Sequence, residues 1–273
     1  MQAVEFTAVS PSALAPVGAR RRVALPGSES AAPGIAPAAE APGDESRRIA
    51  AMLELVADAV ALQRRVVHAG DVVYRAGQPF THLYVLNAGL FKAVTLAPDG
   101  REQVAALQFR GDWLGFDGIA DARHRCDAVA MDTGEVWALP YDALLAACTR
   151  RPELLALLHA EMSRAIGRDR DAMLSLCTLS ADERVAEFLQ QWAGALARRG
   201  LRTDQITLRM TRAEIGSYLG MTLESVSRAL SRLAQRGLIR FVQKGRREIS
   251  IPSLDALRTA FACDPRPAGA TVQ

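Results

Sequence analysis

The segment from Thr211 to Ile251 carries the residues whose types and spacing best suit chemistry, in this case the reading of base edges in a nucleic acid. It predicts two short helices joined by a turn, because Gly220 ends the first where a left-handed residue is needed and Thr222 caps the second. The second helix has an apolar side and a polar side, and the polar side carries Glu224, Ser225, Ser227, Arg228, Ser231 and Arg232. This is the pattern of a helix-turn-helix with an exposed, hydrogen-bonding face.

Base readout is predicted for Glu224, Ser227 and Arg228, which lie near the start of the second helix. A helix in the major groove of DNA offers its N-terminal side chains to the base edges. Arg228 can bond guanine O6 and N7 together, and Glu224 can accept a hydrogen bond from cytosine N4, so the two could read one G·C pair. Ser227 is small enough to let the helix approach. The alternative is a solvated helix face whose arginines have no ligand.

Groups that can hold phosphates flank the reading helix. Backbone amides at the helix starts are predicted to contact the DNA backbone together with the side chains of Thr211, Arg212, Thr222 and Ser225. A predicted hairpin follows, from Leu238–Phe241 to Glu248–Ile251, and its tip carries Lys244, Arg246 and Arg247. This predicts a winged helix with a basic wing over the phosphates, although hairpin tips are commonly charged in any protein.

A long helix is predicted upstream, from Pro152 to about Cys177. Written as a heptad, the helix has a single seam made of two core positions. One position holds Leu155, Met162, Asp169 and Leu176, and the other holds His159, Ile166 and Met173. The pattern predicts a homodimer; an ordinary helix packed on its own domain would show the same stripe. If Asp169 lies in the seam, two ionised carboxylates would weaken the dimer, whereas a solvent-facing Asp169 would pair with Arg168 or Arg170.

The chain before this helix divides into a tail and a strand-rich domain. The first 44 residues contain 12 Ala, 6 Pro and 4 Gly, and we predict a disordered tail there. A short amphipathic helix is predicted after Asp44. From Val66 to Pro140, short apolar runs alternate with glycine turns every ten residues or so, which predicts an antiparallel sandwich or jelly roll.

Composition narrows the class of protein. The 273 residues are 49% hydrophobic and 23% charged, which fits one or two globular domains. Residues 181–273 hold 15 Lys and Arg against 9 Asp and Glu, so the C-terminal third is basic and suits a polyanionic partner. No apolar run reaches the roughly 18 to 20 residues of a membrane helix, and the N-terminus lacks the order of a secretory signal, so we expect a cytoplasmic protein without a membrane partner.

Metal-based and enzymatic alternatives find little support. The four cysteines, Cys126, Cys148, Cys177 and Cys263, are too scattered for a disulfide scaffold or a zinc ribbon, so no metal site is predicted. A small β-barrel enzyme of the cupin kind would need clustered metal ligands, and the sequence has no His-x-His. A cyclic-nucleotide-gated interaction module would explain the β-domain but would leave the basic winged helix without a purpose.

The order of β-domain, long helix and winged helix, and above all the string MTRAEIGSYLGMTLESVSRALSRLAQRGLI, resembles the Crp/Fnr family of bacterial transcription regulators from about Ile49 to Phe261. Glu224, Ser227 and Arg228 match the E-x-x-S-R pattern of its Fnr branch. The resemblance implies an α+β fold with an N-terminal cyclic-nucleotide-binding-like β jelly roll, a long dimerisation helix and a C-terminal winged helix-turn-helix. It also implies a regulator without enzymatic activity, bound as a homodimer to a palindrome of the TTGAT-N4-ATCAA type.

The expected domains are a disordered tail (1–44), a β-roll sensor domain (45–150), a dimerisation helix (151–178), a winged helix-turn-helix DNA-binding domain (179–262) and a flexible C-terminus (263–273). The resemblance also implies a contact with RNA polymerase. The turn of Pro98, Asp99 and Gly100 matches the position of an activating surface in Fnr-like proteins.

The resemblance raises three signals for the β-domain, and the residues support none of them strongly. The N-terminal tail lacks the cysteines that hold an iron-sulfur cluster in Fnr. The resemblance places an effector pocket around Gly115, Phe116 and Arg125. Phe116 stands where Crp has the glutamate that binds the ribose of cyclic AMP. A cyclic-nucleotide-responsive regulator of the Crp kind is kept as the alternative function. No cofactor is predicted, haem and nucleotide stay open, and oxidation of Cys177 is a further alternative.

Overall fold

The computed structural model of the protein describes residues 42–97, 100–198, 200–242 and 247–261. The helices are α1 (Pro42–Ala59), α2 (Tyr141–Arg150), α3 (Pro152–Thr178), α4 (Ala181–Arg198), α5 (Arg212–Leu219), α6 (Leu223–Gln235) and α7 (Leu254–Thr259). The strands are β1 (Gln63–Val67), β2 (Val72–Tyr74), β3 (His82–Ala88), β4 (Phe91–Leu96), β5 (Glu102–Gln108), β6 (Trp113–Leu114), β7 (Asp127–Ala130), β8 (Gly134–Pro140), β9 (Gln205–Thr207), β10 (Arg240–Phe241) and β11 (Glu248–Ser250).

Strands β1 to β8 form two antiparallel sheets of four strands each. The orders are β1-β8-β3-β6 and β2-β7-β4-β5, so β5 lies at the edge of the second sheet. The apolar side chains of Leu86, Phe91 and Val136 are fully buried between the sheets. This arrangement confirms the predicted jelly roll, which we call the sensor domain.

Helices α1 to α3 cover one side of the sensor domain. Helix α1 begins at Pro42, slightly before the predicted boundary at residue 44, because proline suits a first turn and the carboxylates of Asp44 and Glu45 favour a helix start. Its apolar side chains Ile49, Met52 and Val56 join a core with α2 and α3. The predicted tails fall mostly outside the described residues, at 1–41 and 262–273.

Helix α3 has the length that the heptad pattern predicts. It buries Leu154, Leu158 and Glu161 against the rest of its own chain. Of the predicted seam, Met162 packs against this core, whereas Leu155, Ile166, Met173 and Leu176 are exposed apolar side chains on another side of the helix. An apolar stripe along α3 is therefore left uncovered within one chain.

Residues from α4 onward form the second domain, which we call the reading domain. Strands β10, β11 and β9 pair as a small antiparallel sheet, and α4, α5 and α6 pack around Trp192, Ile215 and Leu233. Leu90 and Val104 of the sensor domain belong to this same core, so the two domains are packed together. Among the described residues, no helix combines the length and the apolar character needed to cross a membrane.

Candidate nucleic-acid interface

The turn between α5 and α6 depends on two glycines. Gly220 ends α5 with φ +61°, in the left-handed region that favours glycine, as the sequence predicted. Gly216 lies inside α5, where an added Cβ atom would come within 2.5 Å of the carbonyl oxygen of Met221. The two helices can approach this closely only with glycine at residue 216, a requirement that the sequence analysis did not identify.

Capping residues fix the start of each helix. Thr211 and Glu214 form a reciprocal capping box on α5, and the Thr222 hydroxyl accepts a hydrogen bond from the Ser225 amide at the start of α6. Both the amide and the hydroxyl of Thr211 donate to Glu214, at 2.7 and 2.9 Å. In this arrangement those Thr211 groups serve the helix, and their predicted phosphate contact stays a prediction.

The reading face of α6 is open at its start. Glu224 and Arg228 are exposed, Ser227 is half-buried, and Arg228 Nη2 lies 3.3 Å from the hydroxyl oxygen of Ser225. Hydrogen bonds from its own backbone amide and from Thr222 lower the pKa of Glu224, so this carboxylate is ionised near neutral pH and can accept hydrogen bonds. The three predicted base-reading residues thus lie within one turn of one another.

Farther along α6, the polar side chains are engaged within the chain. Arg232 donates from Nε to both carboxylate oxygens of Asp182 on α4, at 2.7 and 3.0 Å, and Ser231 donates to the Ser227 carbonyl at 2.9 Å. Arg184 of α4 donates to the Leu219 carbonyl at the end of α5, at 2.7 Å. The contacts of Arg184 and Arg232 orient α5 and α6, and sequence reasoning missed them because they join residues 35 and 50 positions apart.

The other predicted backbone contacts lie around this face. Arg212 is half-buried at the start of α5, Ser225 is half-buried, and Arg247 is exposed immediately before β11. Lys244 and Arg246 of the predicted wing tip lie outside the described residues. Arg247 is therefore the wing cation whose place the structure gives.

The predicted effector residues line a cavity of about 770 Å³ between the sensor domain, α3 and the α4 and α5 helices of the reading domain. Phe116 lies nearly parallel to Trp113, with ring centroids 6.0 Å apart, and Gly115 precedes the short 3₁₀ turn Phe116–Gly118. Arg125 donates from Nε to Asp121 at 2.9 Å, and its side chain is 68% exposed. Its guanidinium group thus bonds a carboxylate at the surface.

These residues do not fit a cyclic nucleotide. Arg125, the residue expected to bind the cyclic phosphate, instead pairs with Asp121 at the surface, where the two side chains are 68% and 55% exposed. The ribose hydroxyl needs an acceptor at residue 116, where the chain has an apolar ring.

A buried polar cluster lies beside this cavity. The rings of Tyr74 and His124 stack with centroids 3.7 Å apart, and Asp117 Oδ1 lies 3.8 Å from His124 Nδ1. Burial and the neighbouring Asp117 carboxylate raise the pKa of the Cys126 thiol to about 12, so this thiol stays protonated near neutral pH. Cys177, the predicted redox alternative, is exposed near the end of α3.

Metal ligands and the polymerase contact were the two remaining questions from the sequence. Within the described ranges, no group of three or more His, Cys, Asp or Glu side chains could hold a metal ion. Of the predicted polymerase contact, only Gly100 is described; it is exposed, and Pro98 and Asp99 lie outside.

Comparison with known protein families gives two matches in the expected order. Residues 64–151 match the model described as cyclic nucleotide-binding domain, and residues 183–260 match the Crp-like helix-turn-helix domain. The first match covers the sensor domain, and the second covers most of the reading domain.

Relatives that match two thirds of the chain or more agree with this order. The chain is 33% identical over 182 residues to the Anaerobic regulatory protein of Pasteurella multocida, covering 67% of each protein. It is 32% identical over 210 residues to the Fumarate and nitrate reduction regulatory protein of Yersinia pestis, covering 77% of this chain and 82% of the relative. The structure of FixK2 from Bradyrhizobium japonicum has a TM-score of 0.65 at 29% identity, covering 73% of this chain and 97% of that one. These relatives are regulators rather than enzymes, and the chain belongs to the Crp/Fnr family of DNA-binding transcription regulators.

Proposed function

We propose that this regulator is a cytoplasmic homodimer that binds a palindrome of the TTGAT-N4-ATCAA type and contacts RNA polymerase. The observation that carries the proposal is the open start of α6, where Glu224 and Arg228 are exposed beside Ser227. A carboxylate and a guanidinium at this spacing suit the two bases of a G·C pair in the major groove. Each half-site would receive one such helix.

The homodimer is supported by the uncovered stripe on α3. The side chains of Ile166 and Met173 are 50% and 62% exposed. Exposing apolar side chains along one stripe of a helix is unfavourable unless a partner covers them. The two helices would pair in parallel along this stripe. A two-fold dimer matches a palindrome because it presents its reading helices to half-sites about one helical turn apart.

The signal would act on the sensor domain or on α3. The misfit around Phe116 and Arg125 argues against a cyclic nucleotide, so we propose that another small ligand, or self-association itself, controls DNA binding. The contact with RNA polymerase is assigned by family resemblance to the turn that ends at Gly100.

The test is fluorescence anisotropy with a duplex that contains TTGAT-N4-ATCAA and a scrambled duplex of the same composition. We expect tighter binding to the inverted repeat, and a loss of about 1 to 3 kcal/mol for each bidentate contact that Arg228→Ala removes. Single-base changes at the guanine should cost the variant much less than the parent protein.

Arg258→Ala is the matched control, because it removes one exposed arginine from α7 in the same domain. It should leave discrimination at the guanine unchanged. Equal binding of both duplexes, or an equal effect of the two substitutions on base discrimination, would contradict the proposal.

A further inference from the structure

The sensor domain holds the reading domain through the edge of one sheet. Strand β5 pairs with β4 on one side only, so its other edge presents backbone groups that need partners. Helix α5 lies along this edge. The amide of Val104 donates to the Ser217 hydroxyl at 2.9 Å, and that hydroxyl in turn donates to the Glu102 carbonyl at 3.4 Å.

Two further contacts join the same elements. The side-chain amide of Gln103 donates to the backbone carbonyl of Ser217, and Lys92 Nζ on β4 lies 2.5 Å from Glu214 Oε1. The Lys92 and Glu214 side chains are only 16% and 30% exposed, so this ion pair is better shielded from solvent than an ordinary surface pair. We call these contacts, made by Lys92, Glu102, Gln103 and Val104 with Glu214 and Ser217, the α5 clamp.

The α5 clamp grips the helix that positions α6. Glu214 is also the capping-box residue of α5, and Gly216 sets the close approach of α5 to α6. The clamp leaves Glu224 and Arg228 exposed, so it does not cover the reading face. Its physical effect is to fix the orientation of the reading domain.

The strands of the clamp also line the 770 Å³ cavity described above. Ala93 and Thr95 of β4 and Ala105 and Leu107 of β5 line it, whereas Lys92 and Val104 contact α5. The same pair of strands therefore borders both the cavity and α5.

We propose that the α5 clamp is a positioning device through which the sensor domain sets the orientation of α5 and α6. Apolar contacts such as those of Leu90 also hold the two domains together, but they are non-directional, whereas hydrogen bonds and an ion pair fix the orientation of α5. A reading domain whose orientation is fixed beforehand loses less orientational entropy on binding a palindrome. The DNA-binding part of this inference rests on the proposed function, but the clamp itself does not.

The first test is amide hydrogen exchange on the full chain without DNA. The Val104 amide should be protected although it lies on a sheet edge, and Ser217→Ala should raise its exchange rate by about tenfold, as expected for the loss of one hydrogen bond. Lys92→Ala should raise the exchange rates of the α5 amides, whereas Ser217→Thr, which keeps the hydroxyl, should preserve protection of Val104.

Thr149→Ala and Arg75→Ala are the controls, since they remove a hydroxyl bonded within α2 and an exposed cation from the sensor domain. Neither should change exchange at Val104. An unprotected Val104 amide in the parent protein, or rates unaffected by Ser217→Ala and Lys92→Ala, would overturn the clamp.

The second test measures the affinity of the Lys92→Ala/Ser217→Ala double variant for the TTGAT-N4-ATCAA duplex. We expect binding about tenfold or more weaker than that of the parent, with unchanged far-ultraviolet circular dichroism. Faster exchange with unchanged or tighter DNA binding would overturn the positioning role. If the parent protein does not prefer the inverted repeat, the proposed function fails, whereas the exchange test still decides whether the clamp exists.

Discussion

Replacing Glu161 with glutamine tests the ion network that ties α1 to α3. The Glu161 side chain is 3% exposed on a face that otherwise buries leucines. Arg48 Nη1 on α1 lies 3.4 Å from Oε1, and Arg164 Nε donates to Oε2 at 3.1 Å. Glutamine keeps the shape but removes the charge and turns one acceptor into a donor that faces a guanidinium group.

The expected loss in free energy of unfolding depends on how buried Glu161 and its two arginine partners are. A hydrogen bond to a charged group contributes about 1.5 to 3 kcal/mol, and an unpaired buried charge costs more. Arg48 and Arg164 are 35% and 37% exposed, so both can regain water when the carboxylate is lost. We therefore expect Glu161→Gln to lower the free energy of unfolding by about 1 to 2 kcal/mol, below the range for fully buried pairs.

Urea denaturation followed by circular dichroism measures this difference. Glu54→Gln is the matched control, because Glu54 is exposed on α1 and the substitution removes the same charge. Glu161→Met should cost less than Glu161→Gln, since it removes the buried polar group altogether. A Glu161→Gln variant as stable as Glu54→Gln would refute the assignment of a stabilising network.

Four further outcomes are expected. Gly216→Ala should lower the free energy of unfolding by about 1 to 3 kcal/mol and weaken DNA binding, because the added methyl group overpacks against Met221. Gly167→Ala on α3 should stabilise the helix slightly, because an added Cβ atom there meets nothing within 4 Å. Thermal unfolding of the two variants compares these effects. Asp169→Ala should tighten self-association in sedimentation, and unchanged or weaker association would discard a seam position for this carboxylate. Burial alone would raise the pKa of Glu214, but hydrogen bonds from Lys92 and Thr211 outweigh it and lower the pKa. The stabilisation of the fold by ionised Glu214 is therefore complete above its ordinary pKa of 4.5 and is lost as the pH falls through the lowered pKa. The difference in free energy of unfolding between the parent and Glu214→Gln should accordingly shrink in acid. Arg247→Ala should weaken binding to all duplexes alike and reduce the slope of log affinity against log salt by about 1.

Local signals made the reading domain predictable. Gly220, Thr222 and the polar side of α6 are each read within a few residues of one another, and the structure places them as the sequence indicates. The length of α3 follows from the same kind of pattern. The sequence placed Arg232 on the polar face of α6, but in the structure it pairs with Asp182 of α4. Helical spacing within α6 cannot reveal a partner on another helix.

The contacts between elements could not be predicted in this way. Glu161 looked like an ordinary polar position, because its partner Arg48 is 113 residues away. The clamp residues Val104 and Ser217 are likewise 113 positions apart. Gly216 gave a local sign, a glycine inside a helix pattern, that could have been read as a close helix approach.

The position of β5 at the edge of its sheet, where α5 covers it, affects the behaviour of the protein in solution. If α5 moves away, the backbone groups of Glu102 and Val104 become free to pair with a strand of another molecule. Variants that release α5 should therefore form β-rich aggregates at high protein concentration, and the helix that positions the DNA-reading residues also keeps the protein from self-assembly through its sheet.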